Sequence, residues 1–284
     1  MSYVFQMKFR RNPLPSRRID IICFLTVGVL IPIVFLFDIL VLLPEIHEPD
    51  GHLYTFTLLM AIFLLFNIKG NMIACMMIDT SVDLEHVKAP PDSEAVRLGW
   101  RHCNTCDRLA PPRSWHCKVC GVCILKRDHH CIFMGCCIGQ QNMRHFMCFT
   151  FYLFIATVYA MAYELYYVFA RYIEDILSAL RRQIWGPFVW CFNSFEIALK
   201  VTFFLKMLSV IGAGIALSYF VPLVLRGEVK ANRGKQHNYN CGIYENLKSV
   251  FGQRMYLVWI SPLLRSELPN DCYILKNNDP EKIK

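Results

Sequence analysis

Four long apolar segments restrict what this chain can fold into. A helix needs roughly 20 mostly apolar residues to cross a bilayer, and the segments that meet this length are 21–43, 53–73, 148–170 and 207–225. The first is too long for a signal-peptide core and lacks a small-x-small cleavage site, so we interpret it as an anchor. The sequence therefore predicts an all-α polytopic membrane protein with four transmembrane helices.

The overall composition agrees with a membrane protein. Of the 284 residues, 55% are hydrophobic and only 18% are charged, whereas about a quarter of the residues of a soluble domain are charged. Asp38 and Glu164 fall inside apolar segments, where such residues can mark a proton or ion path. Each lies within about two helical turns of the far end of its span, so we expect them instead to reach the headgroups. Lys206 and Arg226 are expected to flank the fourth span.

The distribution of basic residues predicts how the spans are oriented. The loop Pro44–His52 has no Lys or Arg and contains three acidic residues. Basic residues precede the first span and follow the fourth: Lys8, Arg10, Arg11, Arg17, Arg18, Arg226, Lys230, Arg233 and Lys235. The positive-inside rule then places the N-terminus (1–20) and the C-terminal region (226–284) in the cytosol. With four spans, the segment 79–146 is cytosolic as well, where cysteines stay reduced.

A dense cysteine cluster lies in that cytosolic segment. Eight of the 14 cysteines fall between Cys103 and Cys137, with histidines among them, and Cys-x-x-Cys pairs joined by histidines are typical of zinc sites. The two obvious pairs are Cys103/Cys106 and Cys117/Cys120. Spacing leaves open which others complete two tetrahedral sites: His116, Cys123, His129, His130, Cys131, Cys136 or Cys137. There are more candidates than two sites need, so we expect a nearby thiol to remain unligated.

The run Asp128-His129-His130-Cys131 is where we expect the spare thiol. A free thiol has a pKa of about 8.5, which a neighbouring imidazolium or metal lowers. A cysteine beside a histidine that a carboxylate orients is a general arrangement for an activated nucleophile. The alternative is that all these residues are metal ligands in a catalytically inert zinc module.

The full pattern resembles that of the DHHC protein S-acyltransferases, or palmitoyltransferases. Their signature, Cys-x2-Cys-x9-His-Cys-x2-Cys-x2-Cys-x4-Asp-His-His-Cys-x5-Cys-x4-Asn-x3-Phe, is matched here by Cys103, Cys106, His116, Cys117, Cys120, Cys123, Asp128, His129, His130, Cys131, Cys137, Asn142 and Phe146. The resemblance extends to the four spans with the cluster between the second and third, and to the tail at Tyr239–Gly242, Asn246 and Val250–Gly252. The length and tail are most like the ZDHHC24-type branch of the family.

The resemblance implies a role for each member of the cluster. Two interleaved structural Zn²⁺ sites would each have three cysteines and one histidine. One site would take Cys103, Cys106, His116 and Cys123, and the other Cys117, Cys120, His130 and Cys137. Cys131 would be the nucleophile, with His129 as its base and Asp128 orienting that base. The implied reaction is ping-pong transfer of a palmitoyl group from fatty acyl-CoA to cysteines of membrane-associated proteins through a Cys131 acyl-enzyme.

This chain also departs from the family pattern. Most members follow the catalytic cysteine with Pro-Trp-Val-Asn-Asn-Cys, whereas this chain has Ile132-Phe133-Met134-Gly135-Cys136-Cys137. The Thr-Thr-x-Glu element after the fourth span is also absent, with Val229–Asn232 in its place. The altered loop is the best argument for the competing hypothesis of a weak or inactive zinc module that acts as a protein-binding adaptor.

The sequence gives less support to other classes of function. An ion carrier would need its cysteines in the spans, and the loop between two spans mixes acidic with basic residues, so we expect no nucleic-acid partner. By resemblance we expect an endomembrane location, in the Golgi or endoplasmic reticulum.

Overall fold

The computed structural model describes residues 8–84, 91, 93, 95, 99–182, 194–230 and 239–269, with only the backbone described for 175–182. Within these residues, four helical segments are long and apolar enough to cross a membrane. In chain order they are Arg18–Ile46, His52–Met77, Met143–Glu174 and Ser194–Leu225, here called the first to fourth spans. The predicted all-α membrane fold, with a cysteine-rich segment between the second and third spans, is confirmed. Arg233 and Lys235 lie outside the described residues.

The helices extend beyond the apolar segments seen in the sequence. The first span consists of α1 (Arg18–Phe37), a π-helical turn at Asp38–Leu42 and α2 (Leu43–Ile46). The second span is α3 (His52–Met77). The third lies within α4 (Met143–Arg182), and the fourth is α5 (Ser194–Leu225). Because α5 begins before the predicted position 207, Lys206 lies inside this helix instead of flanking it.

The described chain forms two compact units. The cysteine-rich unit takes the described residues of Met1–Val27, Lys69–Phe149 and Leu217–Lys284, and the intramembrane unit takes Gly28–Ile68 and Thr150–Ala216. Each of the four spans contributes residues to both units.

A buried ion triad lies within the intramembrane unit. Lys206 Nζ is 2.5 Å from Asp38 Oδ1 and 2.8 Å from Glu164 Oε2, and the Lys206 and Glu164 side chains are each 1% exposed. Thr202 Oγ1 donates to Glu164 Oε1 at 3.3 Å. The expectation that Glu164 reaches the headgroups is therefore wrong, because its side chain is buried against a lysine from another span. Asp38, whose side chain is 18% exposed, pairs with the same lysine.

Three small hairpins build the cysteine-rich segment. They pair β3 (Arg101–Cys103) with β4 (Arg108–Ala110), β5 (Trp115–Cys117) with β6 (Val122–Ile124), and β7 (His129–Cys131) with β8 (Cys136–Ile138), all antiparallel. A two-stranded hairpin is marginally stable at best in water. Two small buried clusters lie among them, and both contain candidate zinc ligands: Val82, Ala110, Cys123 and Leu125 in one, and Cys117, Ile124 and Cys137 in the other. These hairpins therefore need cross-links that their apolar contacts do not supply.

The N-terminal and C-terminal segments also pack in the cysteine-rich unit. Strand β1 (Lys8–Phe9) pairs with β2 (Ile78–Asp79), which directly follows the second span. After the fourth span, Asn246 at the start of α6 (Ile243–Phe251) is 2% exposed and donates to the Leu225 carbonyl oxygen at 2.8 Å. Both ends of the described chain are thereby attached to the unit that holds the cysteine cluster.

Candidate active site and metal centres

The first group of candidate ligands has the dimensions of a zinc site. The ligand atoms of Cys103, Cys106, His116 and Cys123 all lie within 4.8 Å of one another. Cys106 Sγ is 3.3 Å from His116 Nδ1 and 3.8 Å from Cys123 Sγ. Tetrahedral zinc with Zn–S bonds of about 2.3 Å separates two sulfurs by about 3.8 Å. The group could hold a zinc ion without rearrangement.

A second group has the same dimensions. The ligand atoms of Cys117, Cys120, His130 and Cys137 also lie within 4.8 Å of one another. The three sulfurs are 3.8, 3.3 and 3.9 Å from His130 Nδ1, and Cys120 Sγ is 3.7 Å from Cys137 Sγ. This group could therefore hold a second zinc ion.

Strand register explains why the two groups interleave along the chain. In a strand, successive side chains point to opposite faces, and directly opposed residues of paired strands share a face. His116 lies opposite Cys123, and His130 lies opposite Cys137. The neighbouring Cys117 points away from His116 and so joins the other group.

The same alternation separates Cys131 from the second ligand group. Cys131 lies directly opposite Cys136 in the β7–β8 hairpin, one position away from the His130–Cys137 pair. His129, two residues before Cys131, shares its face. Neither Cys131 nor Cys136 belongs to a candidate metal group in the described part of the chain. Of the seven residues left open by spacing, the geometry places His116, Cys123, His130 and Cys137 in ligand groups.

The His129 ring is held on several sides. Its Nδ1 lies 2.9 Å from Asp128 Oδ2, an arrangement that leaves Nε2 as the proton acceptor of the neutral ring. Phe220 stacks on the ring with centroids 5.1 Å apart and an interplanar angle of 25°. Phe146 meets the ring edge-on at 5.2 Å. The contact with Phe220, from the fourth span, is one that sequence reasoning missed.

Asp128 is itself positioned by the segment after the fourth span. Its side chain is 1% exposed, and its Oδ1 accepts a hydrogen bond from the Lys230 backbone N–H at 2.8 Å. This contact falls in the region where the Thr-Thr-x-Glu element is absent. No sequence signal could have revealed it, because every residue except proline carries a backbone N–H.

The Cys131 thiol is buried, with 6% of the residue exposed. Burial raises the pKa of this thiol to about 11, and backbone hydrogen bonds from Met134 and Phe133 only partly oppose the shift. From the sequence we expect a neighbouring imidazolium or metal to lower this pKa, whereas burial of the thiol acts in the opposite direction. A proton acceptor is therefore needed if Cys131 is to react as a thiolate near neutral pH.

The turn after Cys131 closes without the proline that most family members have. Gly135 adopts a left-handed conformation with φ of +60°, which glycine tolerates best. A Cβ at this position would lie 2.4 Å from the Pro15 side chain. In the same turn, Phe133 is 45% exposed and so presents an apolar side chain near the nucleophile candidate.

Asn142 joins the second span to the hairpin that carries Cys131. Its side chain is fully buried, and its Nδ2 donates to the carbonyl oxygens of Cys75 at 3.1 Å and Cys137 at 2.9 Å. Its Oδ1 accepts the Gly139 N–H at 2.8 Å. This asparagine therefore makes hydrogen bonds to three backbone groups at once, on the second span and on the segment that follows Cys136.

Comparison with known proteins agrees with these features. The pattern of the DHHC palmitoyltransferase family matches residues 98–236. The chain is 31% identical over 221 residues to the probable palmitoyltransferase ZDHHC24 of Homo sapiens, covering 75% of this chain and 76% of that protein. The Mus musculus protein of the same name is 31% identical over 227 residues, with the same two coverages. The Danio rerio protein is 29% identical over 214 residues, or 74% and 71%. The resemblance stated from the cysteine motif is thus confirmed, and this chain belongs to the DHHC palmitoyltransferase family.

Proposed function

We propose that this protein is a protein S-acyltransferase that carries a long-chain acyl group, palmitoyl, on Cys131. The observation that supports this most directly is the geometry of strand β7. Cys131 lies outside both ligand groups and shares a strand face with His129, whose Nδ1 is 2.9 Å from Asp128 Oδ2. A nucleophile, a base and an orienting carboxylate are therefore present on one short segment.

The proposed reaction has two thioester exchanges. His129 Nε2 accepts the Cys131 thiol proton while the sulfur attacks the thioester carbonyl carbon of fatty acyl-CoA. The C–S bond to CoA breaks, and the CoA thiolate takes a proton from His129. A cysteine thiol of a protein substrate, deprotonated by His129, then attacks the Cys131 thioester; the C–S bond to Cys131 breaks, and His129 returns the proton to the Cys131 sulfur. Because thioester exchange is nearly isoenergetic, positioning and proton transfer supply most of the catalysis.

We assign the two ligand groups as structural zinc sites. When bound, each zinc ion would cross-link short hairpins that have little apolar core of their own. Cys103, Cys106, His116 and Cys123 would hold one ion. Cys117, Cys120, His130 and Cys137 would hold the other.

We also propose that both termini and the cysteine-rich segment lie on the cytosolic side of an endomembrane, in the Golgi or endoplasmic reticulum. The basic residues that flank the first and fourth spans support this orientation. The pairing of β1 with β2 and the 2.7 Å hydrogen bond from Arg113 Nη2 to the Gly227 carbonyl oxygen support a common side. Acyl-CoA and the cysteines of membrane-associated proteins would be the substrates.

The test is acyl-enzyme formation by the purified, zinc-loaded protein with labelled palmitoyl-CoA. We expect a hydroxylamine-labile label on the wild type, none on Cys131→Ser, and a normal label on Cys136→Ser. Cys136 is the matched control because it is buried directly opposite Cys131 and is likewise outside the ligand groups. Absence of label on folded, zinc-replete wild type would refute the proposal and support the adaptor hypothesis.

A further inference from the structure

Asp20 is a buried carboxylate in the first turn of α1, in a span that is otherwise largely apolar. It is 1% exposed, and its Oδ2 lies 3.1 Å from His130 Nε2. In the part of the chain that the structure describes, its Oδ1 is buried without a hydrogen-bond partner. Burying an incompletely paired carboxylate is costly. General stability therefore does not explain why this residue is an aspartate.

His130 uses its two nitrogens for different purposes. Its Nδ1 faces the three sulfurs of the second ligand group at 3.3–3.9 Å, while its Nε2 faces Asp20. Coordination through Nδ1 requires the tautomer with the proton on Nε2, and a carboxylate that accepts this proton's hydrogen bond fixes both the tautomer and the ring plane. Asp20 is placed to do this.

We propose that Asp20 is a positioning residue that secures the second zinc group from the first span. Asp20 acts on the His130 ring, and because His130 lies in strand β7, it also helps to position His129 and Cys131 on that strand. The inference rests on the zinc assignment of the proposed function but not on acyl transfer itself. Asp20 lies 110 residues before His130, the candidate ligand that it would orient.

A competing role for Asp20 is a purely local one. An acidic side chain in the first turn of a helix interacts favourably with the helix dipole. That interaction would stabilise α1 equally well whatever residue stood at position 130. The two roles therefore differ in whether the effect of Asp20 depends on the His130 imidazole.

A chelator can also reach the second ligand group, so the rate of zinc release can be used to test the role of Asp20. A cavity of about 170 Å³ lies beside the pair, and its lining includes Asp20, His130, Cys120 and Cys137. A small chelator could approach the second group from this cavity once His130 is no longer held.

The experiment measures zinc release from the full-length protein in detergent micelles, using excess chelator and a colorimetric zinc dye. In Asp20→Asn we expect one of the two zinc ions to leave about tenfold faster than in the wild type, the low end of the effect of losing such a carboxylate partner. The other ion should leave at the wild-type rate. The control is Asp83→Asn, which removes a surface ion pair with Lys8 in the same unit and should leave both rates unchanged.

The decisive comparison repeats the measurement in a His130→Cys background, which keeps a ligand but removes the Nε2–H. If Asp20 acts through His130, Asp20→Asn has no additional effect there. An effect of equal size in both backgrounds, or wild-type release rates in Asp20→Asn itself, would overturn the proposal. Should Asp20→Asn fail to fold, Asp20→Glu serves in both backgrounds, since it keeps the charge but displaces the oxygens. A catalytically inactive protein would still show the Asp20 effect, so the outcome is independent of the acyltransferase test.

Discussion

Replacing Lys206 with methionine should destabilise this protein strongly. The substitution keeps the length of the side chain but removes an ammonium that lies 2.5 Å from Asp38 Oδ1 and 2.8 Å from Glu164 Oε2. The fully buried Glu164 and the largely buried Asp38 then lose their counter-charge, and leaving a buried charge without its partner costs about 3–5 kcal/mol. At about 2–4 °C per kcal/mol for a protein of roughly this size, Tm should fall by about 6–20 °C.

The triad also predicts an order among its variants. Glu164→Gln leaves the Lys206–Asp38 pair in place and removes a charge, so its cost should be lower, about 1–2 kcal/mol. A triple variant with Lys206→Met, Glu164→Gln and Asp38→Asn has no buried charge and should recover most of the lost Tm.

Thermal unfolding in detergent, followed by intrinsic fluorescence, measures these differences. Lys200→Met is the matched control, because it makes the same substitution in the same helix at a side chain that is 59% exposed and lies 4.0 Å from Glu196. Exposed pairs of this kind contribute at most about 1 kcal/mol. A Lys206→Met protein that unfolds within about 2 °C of the wild type, or a triple variant no more stable than Lys206→Met, would refute the reasoning.

Three further predictions concern the cysteine-rich unit. Removing zinc with a membrane-permeant chelator should abolish acyl-enzyme formation and the near-ultraviolet circular dichroism of the hairpins. The far-ultraviolet signal of the helices should largely remain. Loss of the near- and far-ultraviolet signals together would contradict a local role for zinc. Phe220→Ala removes the ring that stacks on His129 at 5.1 Å. It should slow acyl-enzyme formation roughly tenfold, a part of the about 10²–10⁴ that a positioned base contributes, with unchanged zinc content; an unchanged rate would show that the stacking does not orient the base. Burial raises the pKa of Cys131 to about 11, so its thiolate fraction grows with pH throughout the range below that value. In zinc-loaded His129→Ala, the rate of Cys131 alkylation by iodoacetamide should therefore rise about tenfold per pH unit from pH 7 to 10. A rate that does not change with pH would contradict this environment.

Much of this architecture is readable from local patterns. A span needs only a run of apolar residues, so the four helices and the position of the cysteine-rich segment follow from the order of residues alone. Their ends do not. The fourth span includes Lys206, which the sequence marks as a boundary, because whether a lysine can lie inside a span depends on carboxylates that other helices bring to it.

The sequence by itself determined the four spans, the inventory of possible ligands and the family, since each of these depends on residue types at short fixed spacings. Only the tertiary structure decided how the cysteine inventory divides, because strand register sends His130 and Cys137 to one face of a hairpin and Cys131 and Cys136 to the other. It also decided the distant partners: Lys230 reaches Asp128 across 102 positions, and Asp20 reaches His130 across 110. Such contacts leave no local trace, because one partner is a backbone N–H that almost any residue could supply and the other is a lone aspartate at a helix start, where acidic residues are common for unrelated reasons.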